Sequence, residues 1–389
     1  MDERYFRRGV SADKDDVHQA VKYLDKGIFK NAFCKVLPDI ASSDAHYCNI
    51  MHSDTAGTKT SLAYLYWKET GDMSVWKNIV QDALIMNIDD LICVGAVGDI
   101  IVSSYIGRNR HLINSNIITH LIRGSAECIN ELNNLGIGVT LAGGETADVG
   151  DIVRTLDIGF CAFARLAKKQ AIEINIQSGD VIVGLSSSGQ ASYESEYNSG
   201  IGCNGLTSAR HDVLAKYLFA RYPESYDPAV PQDLVYSGSM KLTDIDNATK
   251  LHIGKLLLSP TRTFSPVIKK VLNKIPISEL HGMVHCSGGG QTKVMHFMPE
   301  NLCIIKDNLF NIPPVFEIIQ QESGTSYREM YKVFNMGHRM EIYIKEDYAQ
   351  EVINIAGEFN IAAQIIGYCE SSTSRKLKII NEFGEFIYQ

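Results

Sequence analysis

Strand-like and helix-like segments alternate along the whole of this 389-residue chain, and this alternation limits the fold more than any other feature. Short runs rich in Val, Ile and Leu, such as residues 100–107 and 181–186, are typical of buried strands. Between them lie amphipathic stretches, of which residues 74–95 are the clearest, with apolar side chains at three- and four-residue intervals. This pattern predicts an α/β or α+β fold.

The length of the chain predicts two domains, because single hydrophobic cores stop growing at about 250–300 residues. Residues 167–180 contain few large apolar side chains and end in a turn signal. We therefore predict an N-terminal domain over residues 1–166 and a C-terminal domain over residues 167–389. The last segment, residues 376–389, is predicted to form a β-hairpin that turns near Gly384.

The composition excludes several classes of protein. An apolar fraction of 45% and a net charge of −8 fit a globular protein and disfavour nucleic-acid binding. The nine cysteines form no C-x-x-C pair, which argues against disulfides and structural zinc. We find neither a signal-peptide pattern nor an apolar run of about 18 residues. A cytoplasmic protein that binds neither nucleic acid nor membrane is expected.

Residues 52–64 crowd hydroxyls and small side chains around one lysine. A Walker loop is excluded, because Thr58 separates Gly57 from Lys59. The lysine could still pair with phosphate oxygens, and Asp54 could hold Mg²⁺, a cation that prefers oxygen ligands. The alternative is a solvated turn with an exposed lysine, and this segment alone leaves both interpretations open.

Two further acidic segments are candidates. Asp89 and Asp90 end the amphipathic helix, where the helix dipole disfavours carboxylates by roughly 0.3–1 kcal/mol each. A bound cation would remove that cost, but we expect solvated acids at a fraying helix end. In residues 142–148 the paired Gly143 and Gly144 allow close approach of a ligand to the backbone, and here we favour a functional loop.

The C-terminal half contributes basic and glycine-rich segments. In residues 285–293, three glycines between a predicted strand and helix are typical of a phosphate-binding turn. His281 and His285 are expected to be core or pocket residues on that strand. Arg262 is predicted in the first turn of a helix, where its guanidinium suits phosphate. Together the acids, glycine turns and basic groups indicate an ATP-using enzyme that lacks Walker, kinase and hydrolase signatures.

Eight motifs in order carry a resemblance to a known family: DTAGTK, IDDLICVGA, GGETAD, GDVIVGLSSSG, NGLTSAR, LLSPTRTF, HCSGGG and REMYKVFNMG. They resemble the phosphoribosylformylglycinamidine cyclo-ligases, or aminoimidazole ribonucleotide synthetases. The resemblance implies an N-terminal mixed sheet that pairs with a second subunit into a dimeric barrel, and a C-terminal α/β sandwich. It also implies a homodimer that uses ATP and Mg²⁺ to convert formylglycinamidine ribonucleotide into aminoimidazole ribonucleotide.

The resemblance assigns roles to individual residues. Catalysis falls to Asp54 and Lys59, of which Lys59 would contact the triphosphate. Nucleotide binding falls to Gly57, Thr58, Gly143, Gly144, Thr146, Gly288, Gly289 and Gly290. Magnesium binding falls to Asp54, Asp90 and Glu145. Apart from the resemblance, we predict that Asn204, Arg262 and Ser287 bind substrate, with the substrate phosphate at either Arg262 or the turn over residues 287–290. Alanine at Asp54 or Lys59 is expected to abolish turnover and leave the fold intact.

The chain also departs from the family pattern. The family's Asp-Gly is Asp54-Thr55 here, and its Asn-Asp pair is Asp89-Asp90. The loop over residues 189–205 replaces a stretch that contains a histidine sometimes given a catalytic role. Two other classes therefore stay open: a related ATP-dependent small-molecule kinase or dehydratase, and a non-catalytic nucleotide-binding paralogue. Retention of Lys59 and the acids argues against the paralogue.

Overall fold

A computed structural model describes residues 3–10 and 15–389 of the chain. The strands are β1 Val36–Pro38, β2 Tyr47–Thr55, β3 Ile100–Arg108, β4 Val139–Asp148, β5 Leu156–Ala167, β6 Asp180–Ser186, β7 Leu280–His285, β8 Leu302–Lys306, β9 His338–Lys345, β10 Ala363–Ser371, β11 Lys376–Asn381 and β12 Gly384–Tyr388. The helices are α1 Glu3–Arg7, α2 Asp15–Val21, α3 Lys59–Thr70, α4 Val75–Ile92, α5 Ser115–Asn134, α6 Leu206–Val213, α7 Tyr217–Arg221, α8 Ile253–Leu258, α9 Ser265–Lys274, α10 Pro314–Ser323, α11 Tyr327–Val333 and α12 Glu346–Glu358.

The strands form two mixed sheets. The first has the order β1-β2-β5-β3-β4, in which only β3 and β4 run parallel among the described strands. Helix α4 packs on β2 and β5, while α5 packs on α4 and β4. The second sheet has the order β12-β11-β8-β10-β6-β9-β7, and α12 packs on β6, β9 and β10. Helix α9 contacts both α12 and α4, so it links the two halves.

The predicted α/β (α+β) class is confirmed, and so are the helices now named α4 and α5 and the C-terminal hairpin, in which Asn381 pairs with Gly384. Helix α5 begins as expected, since Asn114 accepts a hydrogen bond from the Ile117 amide. One helix was predicted over residues 206–222, but the chain breaks it into α6 and α7. The first sheet ends at Ala167 and the second begins at Asp180. The exact domain boundary stays a prediction.

Helix α3 was not predicted at all. Seven of its residues, from Lys59 to Tyr66, are buried on several sides, so the sequence carries no single apolar stripe. Among the described residues, no helix is both long and apolar enough to cross a membrane. All nine cysteines are free thiols.

Candidate active site between the two sheets

Helix α4 carries acidic and amide side chains on two faces, and each face meets a different part of the chain. Asn87 and Asp90, one turn apart, point towards β2. Asp82 and Asp89, two turns apart, point towards residues 259–264, the segment before α9. The expectation of solvated acids at a fraying end is therefore wrong, because Asp89 is fully buried and Asp90 is 8% exposed inside the helix.

Strand β2 brings two more polar residues to this helix. Because side chains alternate along a strand, His52 and Asp54 face α4, whereas Met51 and Ser53 are exposed on the opposite side. The Asn87 amide donates to the Asp54 carbonyl oxygen at 3.3 Å, which ties the end of β2 to α4. The half-buried end of β2 therefore forms one wall of the site.

A carboxylate between two histidines lies at the centre of the site. His285 Nδ1 donates to Asp90 Oδ1 at 2.6 Å, and His52 Nε2 lies 3.2 Å from Asp90 Oδ2. His285 ends β7, so this contact joins the two sheets. Burial alone would raise the pKa of Asp90, but the hydrogen bonds from both histidines outweigh it and hold the pKa well below its usual range. Asp90 is therefore ionised.

The partners of the two rings define where their hydrogens lie. Arg339 Nε can only donate and lies 3.2 Å from His285 Nε2, so His285 carries its hydrogen on Nδ1. The Asn87 amide nitrogen donates to two backbone carbonyls, so its oxygen faces His52 Nδ1 at 2.9 Å and accepts a hydrogen from it. Burial lowers the pKa of His52, but the hydrogen bond and charge of Asp90 raise it by more. Asp90 thus bridges a neutral ring and a readily protonated one.

Lys59 is the first residue of α3 and is fully buried. Its Nζ lies 2.8 Å from Asp82 Oδ1 and 2.6 Å from the Ser259 carbonyl oxygen. Asp82 also accepts from the backbone and hydroxyl of Thr261. The solvated turn with an exposed lysine is therefore wrong. The contact with a triphosphate stays a prediction; in this structure the ammonium joins α3, α4 and the segment before α9.

Replacing Asp89 by asparagine is expected to change how stability depends on pH. Burial raises the pKa of Asp89 to about 6, against about 3.9 in an unfolded chain. The stability that this group contributes is therefore full below about pH 4 and is lost as the pH rises to about 6, a loss of about 3 kcal/mol. The amide of asparagine does not titrate. Its oxygen can still accept the hydrogen bond that the Thr263 hydroxyl donates to Asp89 in the unchanged protein, at 2.7 Å.

Urea unfolding of D89N and of the unchanged protein at pH 4, 5, 6 and 7 measures this effect. The variant should gain about 3 kcal/mol relative to the unchanged protein across that range. If the difference in unfolding free energy between D89N and the unchanged protein is the same at every pH, Asp89 does not titrate between pH 4 and 7.

Arg262 lies before α9 rather than inside it, and its side chain is already paired. Its Nε and one terminal nitrogen donate to the two carboxylate oxygens of Glu194, at 3.0 and 2.6 Å. The other terminal nitrogen donates to the carbonyls of Ser186 and Ser188. The first-turn placement is therefore wrong. The guanidinium fastens the loop over residues 189–205, and its contact with substrate phosphate stays a prediction.

Several predicted ligand-binding residues do come together. Thr58 Oγ1 lies 2.7 Å from the hydroxyl of Thr207 at the start of α6. A Cβ on Gly288 would lie 3.5 Å from the side-chain nitrogen of Asn204, just before the same helix. The glycine turn continues into a 3₁₀ helix over Gly290–His296, not the α-helix that we expected. The loop after β2, the start of α6 and the glycine turn thus lie side by side.

Residues 143–146 lie inside β4, not in the loop that the sequence predicted. Gly143 has a φ of 123°, and a Cβ on Gly144 would come within 2.5 Å of the Ser104 carbonyl oxygen on β3. The strand pairing itself therefore requires both glycines. All four residues are exposed on this edge strand, away from the other predicted nucleotide-binding segments.

The three carboxylates predicted to bind Mg²⁺, namely Asp54, Asp90 and Glu145, do not meet at one point. Asp54 and Gly144 are in register across four adjacent strands, three spacings or about 14 Å apart, and Glu145 follows Gly144. Burial, and then the charge of Asp90, raise the pKa of Asp54, so these two carboxylates are neighbours. Both oxygens of Asp90 face histidines. Asp90 is therefore engaged on both oxygens, and Asp54 and Glu145 lie too far apart to share one cation.

The sequence did not single out several side chains of the site, among them His52, Asp82 and Arg339. Two had a usable signal, since His52 shares a strand face with Asp54 and Asp82 precedes Asp89 by two helical turns. Nothing local marked Arg339, which reaches His285 from 54 residues away.

Comparison with known proteins places this architecture in a family. Residues 34–166 match the family model "AIR synthase related protein, N-terminal domain", and residues 246–380 match the corresponding C-terminal domain. Together the two matches cover more than half of the chain. The protein therefore belongs to the two-domain AIR synthase related proteins.

One curated relative and two solved structures show which known proteins the chain is similar to. A phosphoribosylformylglycinamidine cyclo-ligase of Methanococcus vannielii is 29% identical over 84% of this chain and 79% of its own length. The HypE–HypF complex structure has a TM-score of 0.57 at 14% identity, covering 97% of this chain and 99% of that chain. T. maritima PurL complexed with ADP has a TM-score of 0.53 at 12% identity, and this chain, of which 95% is covered, spans 47% of it. The two structures support the fold alone.

Proposed function

We propose that the protein closes the imidazole ring of aminoimidazole ribonucleotide from formylglycinamidine ribonucleotide, with ATP as phosphoryl donor. The observation that carries the proposal is the convergence of the DTAGTK loop, the acids of α4 and His285 in one site between the sheets. The same motifs carry the resemblance to the cyclo-ligases, and the named relative is one of them.

The chemistry follows from the poor leaving ability of an amide oxygen. Transfer of the γ-phosphoryl group to the formyl oxygen gives ADP and an iminophosphate. The amidine nitrogen then attacks the same carbon, a C–N bond forms, the C–O bond breaks, and phosphate leaves with the former formyl oxygen. One proton is released. The protein must orient the partners and stabilise the phosphoryl charge.

We assign the handling of the proton released on ring closure to the histidine–Asp90 cluster, formed by His52, Asp90 and His285. Asp90 keeps the hydrogen of His285 on Nδ1 and favours protonation of His52, whose side chain is 23% exposed. This arrangement can hold a proton beside the reacting atoms without exposing a free carboxylate. Thr58, Asn204 and Gly288 lie on the neighbouring segments described above and are assigned to phosphate and ribose contacts.

We propose that Mg²⁺ binds together with ATP. Mg²⁺ usually keeps several waters and binds through one or two carboxylates plus substrate phosphates. Asp54 fits this requirement, because burial and the nearby charge of Asp90 disfavour its ionised form until a cation arrives. When bound, the ion would neutralise charge on the triphosphate.

Purified protein with ATP and formylglycinamidine ribonucleotide tests the function. Equal amounts of ADP, phosphate and aminoimidazole ribonucleotide are expected. Phosphate release without ring closure would favour the kinase or dehydratase alternative, and no phosphate release would favour the non-catalytic paralogue.

We also infer a cytoplasmic homodimer. The face of the first sheet that α4 and α5 leave uncovered carries exposed apolar side chains, including Met51 (62% exposed), Ile101 (46%) and Tyr105. Exposed apolar patches on a sheet are typical of protein interfaces. A second copy of the same sheet would cover this patch and complete a barrel.

Replacing Ile101 by arginine is expected to convert the dimer into a monomer, because a charge would be buried against an apolar partner surface. Light scattering should give twice the 43.2 kDa chain mass for the unchanged protein and a single chain mass for I101R. The matched control is I245R, since Ile245 is 61% exposed in the C-terminal half. Equal masses for I101R and the unchanged protein would contradict this interface.

A further inference from the structure

Arg339 is a buried cation that the site described above does not fully use. The residue is 2% exposed, and its guanidinium lies over the Phe264 ring at 5.4 Å. Nε donates to His285 and one terminal nitrogen donates to the Arg262 carbonyl. The remaining nitrogen, Nη1, has no hydrogen-bond partner among the described residues, and no described carboxylate lies within 4.0 Å to form an ion pair. The charges of Asp89 and Asp82 attract the guanidinium from beyond that distance, so Nη1 itself stays without a hydrogen bond, which is unfavourable for a buried polar atom.

The unpartnered nitrogen points at a glycine turn. A Cβ on Gly202 would lie 3.5 Å from Arg339 Nη1, so the turn over residues 200–205 covers it. This turn leads directly into α6, where the backbone amides of Leu206 and Thr207 have no acceptor among the described residues. The cation therefore lies against the turn that leads to the positive end of a helix, and both features favour an anion.

Three glycines shape the turn over residues 200–205. Gly200, Gly202 and Gly205 all have positive φ, at 82°, 67° and 77°, which only glycine adopts readily. Gly200 is held in place, because its amide donates to Asn198 Oδ1 and its carbonyl accepts from Asn335 Nδ2. The turn's next neighbours are Thr58, through Thr207, and Gly288, through Asn204. An anion at this corner would therefore lie beside the proposed reaction site.

We propose that Arg339 Nη1, together with the amides that begin α6, binds a phosphate group of a ligand in the cleft. The proposal rests on the proposed function, and it makes Arg339 the phosphate-binding arginine in place of Arg262, whose guanidinium is held by Glu194. The phosphate belongs either to the ribonucleotide substrate or to ATP, since both offer the same oxygens. The residues of the turn that follow Gly200 move aside when the group enters.

Two pairs of ligands show whether the bound phosphate group belongs to the ribonucleotide substrate or to ATP. Affinities are measured by calorimetry for formylglycinamidine ribonucleotide against its ribonucleoside, and for ATP against adenosine. In one pair, R339A should reduce the preference for the phosphorylated ligand by about 10- to 100-fold, the range expected for a hydrogen bond between charged groups. The other pair should be unchanged. R328A is the matched control, because Arg328 is an exposed arginine that stacks on the Tyr388 ring and takes no part in the site.

Unchanged preferences in both pairs for a folded R339A would overturn the proposal. If R339A does not fold, R339Q keeps a neutral donor and separates charge from packing, with the same expected loss. A crystal of the unchanged protein with inorganic phosphate gives an independent answer: phosphate oxygen within hydrogen-bond distance of Nη1 supports the site, and phosphate bound only elsewhere contradicts it. Protein that binds phosphate through Arg339 but forms no aminoimidazole ribonucleotide would refute the proposed function alone.

Discussion

Replacing Lys59 by methionine lowers the free energy of unfolding by about 3–5 kcal/mol, because the change leaves the buried Asp82 carboxylate without its cation. Methionine fills most of the lysine volume, so the loss reports the charge and not a cavity. Urea unfolding measures it. The expectation that a variant at Lys59 keeps an intact fold is therefore revised, since Lys59 joins α3 to α4 and to the segment before α9.

Two controls sharpen this prediction. K77M breaks a half-exposed pair with Glu131 on the neighbouring helix and should cost at most about 1 kcal/mol. The double variant K59M/D82N removes both charges but keeps an acceptor for Thr261, so it should recover most of the lost stability. A K59M protein as stable as K77M would contradict the buried pair.

Replacing Asp90 by asparagine is expected to lower kcat by about 10²- to 10⁴-fold, the usual contribution of acid–base groups. The amide has one oxygen, so it cannot accept hydrogen bonds from both His285 and His52, and its NH₂ group would face one ring nitrogen. KM for ATP should change little, because both oxygens of Asp90 face histidines and are not assigned to ATP. Steady-state kinetics with varied ATP measures both constants.

The control is D233N, since Asp233 is 67% exposed and pairs only loosely with Arg7 at 3.6 Å. That variant should keep the kcat of the unchanged protein. Circular dichroism checks that D90N is folded. A folded D90N with normal turnover would remove the histidine–Asp90 cluster from the mechanism.

Local patterns predicted the parts of the fold that local physics determines. Helix α5 has an Asn114 cap and a glycine stop, and the C-terminal hairpin has a glycine turn, so both are readable from a few neighbouring residues. Helix α3 was missed because burial on several sides erases the amphipathic stripe. Sequence motifs also placed Asp54, Asp90 and the glycine turn near the site, through the family resemblance.

The pairings that define the site could not be read from the sequence. Arg262 meets Glu194 across 68 residues, and Lys59 meets Asp82 only because α3 and α4 pack side by side. Glu145 was assigned to the metal site from its motif, yet its distance from Asp54 depends on the order of four strands. Composition and spacing do not determine sheet order, so distant partners need coordinates.

Transfer of labelled oxygen tests the central claim most directly. Formylglycinamidine ribonucleotide with ¹⁸O in the formyl group is turned over with unlabelled ATP in unlabelled water, and the phosphate released is analysed by mass spectrometry. If ATP activates the formyl oxygen, each phosphate carries one ¹⁸O atom. Unlabelled phosphate, with the ¹⁸O recovered in water, would show that the oxygen leaves without being phosphorylated.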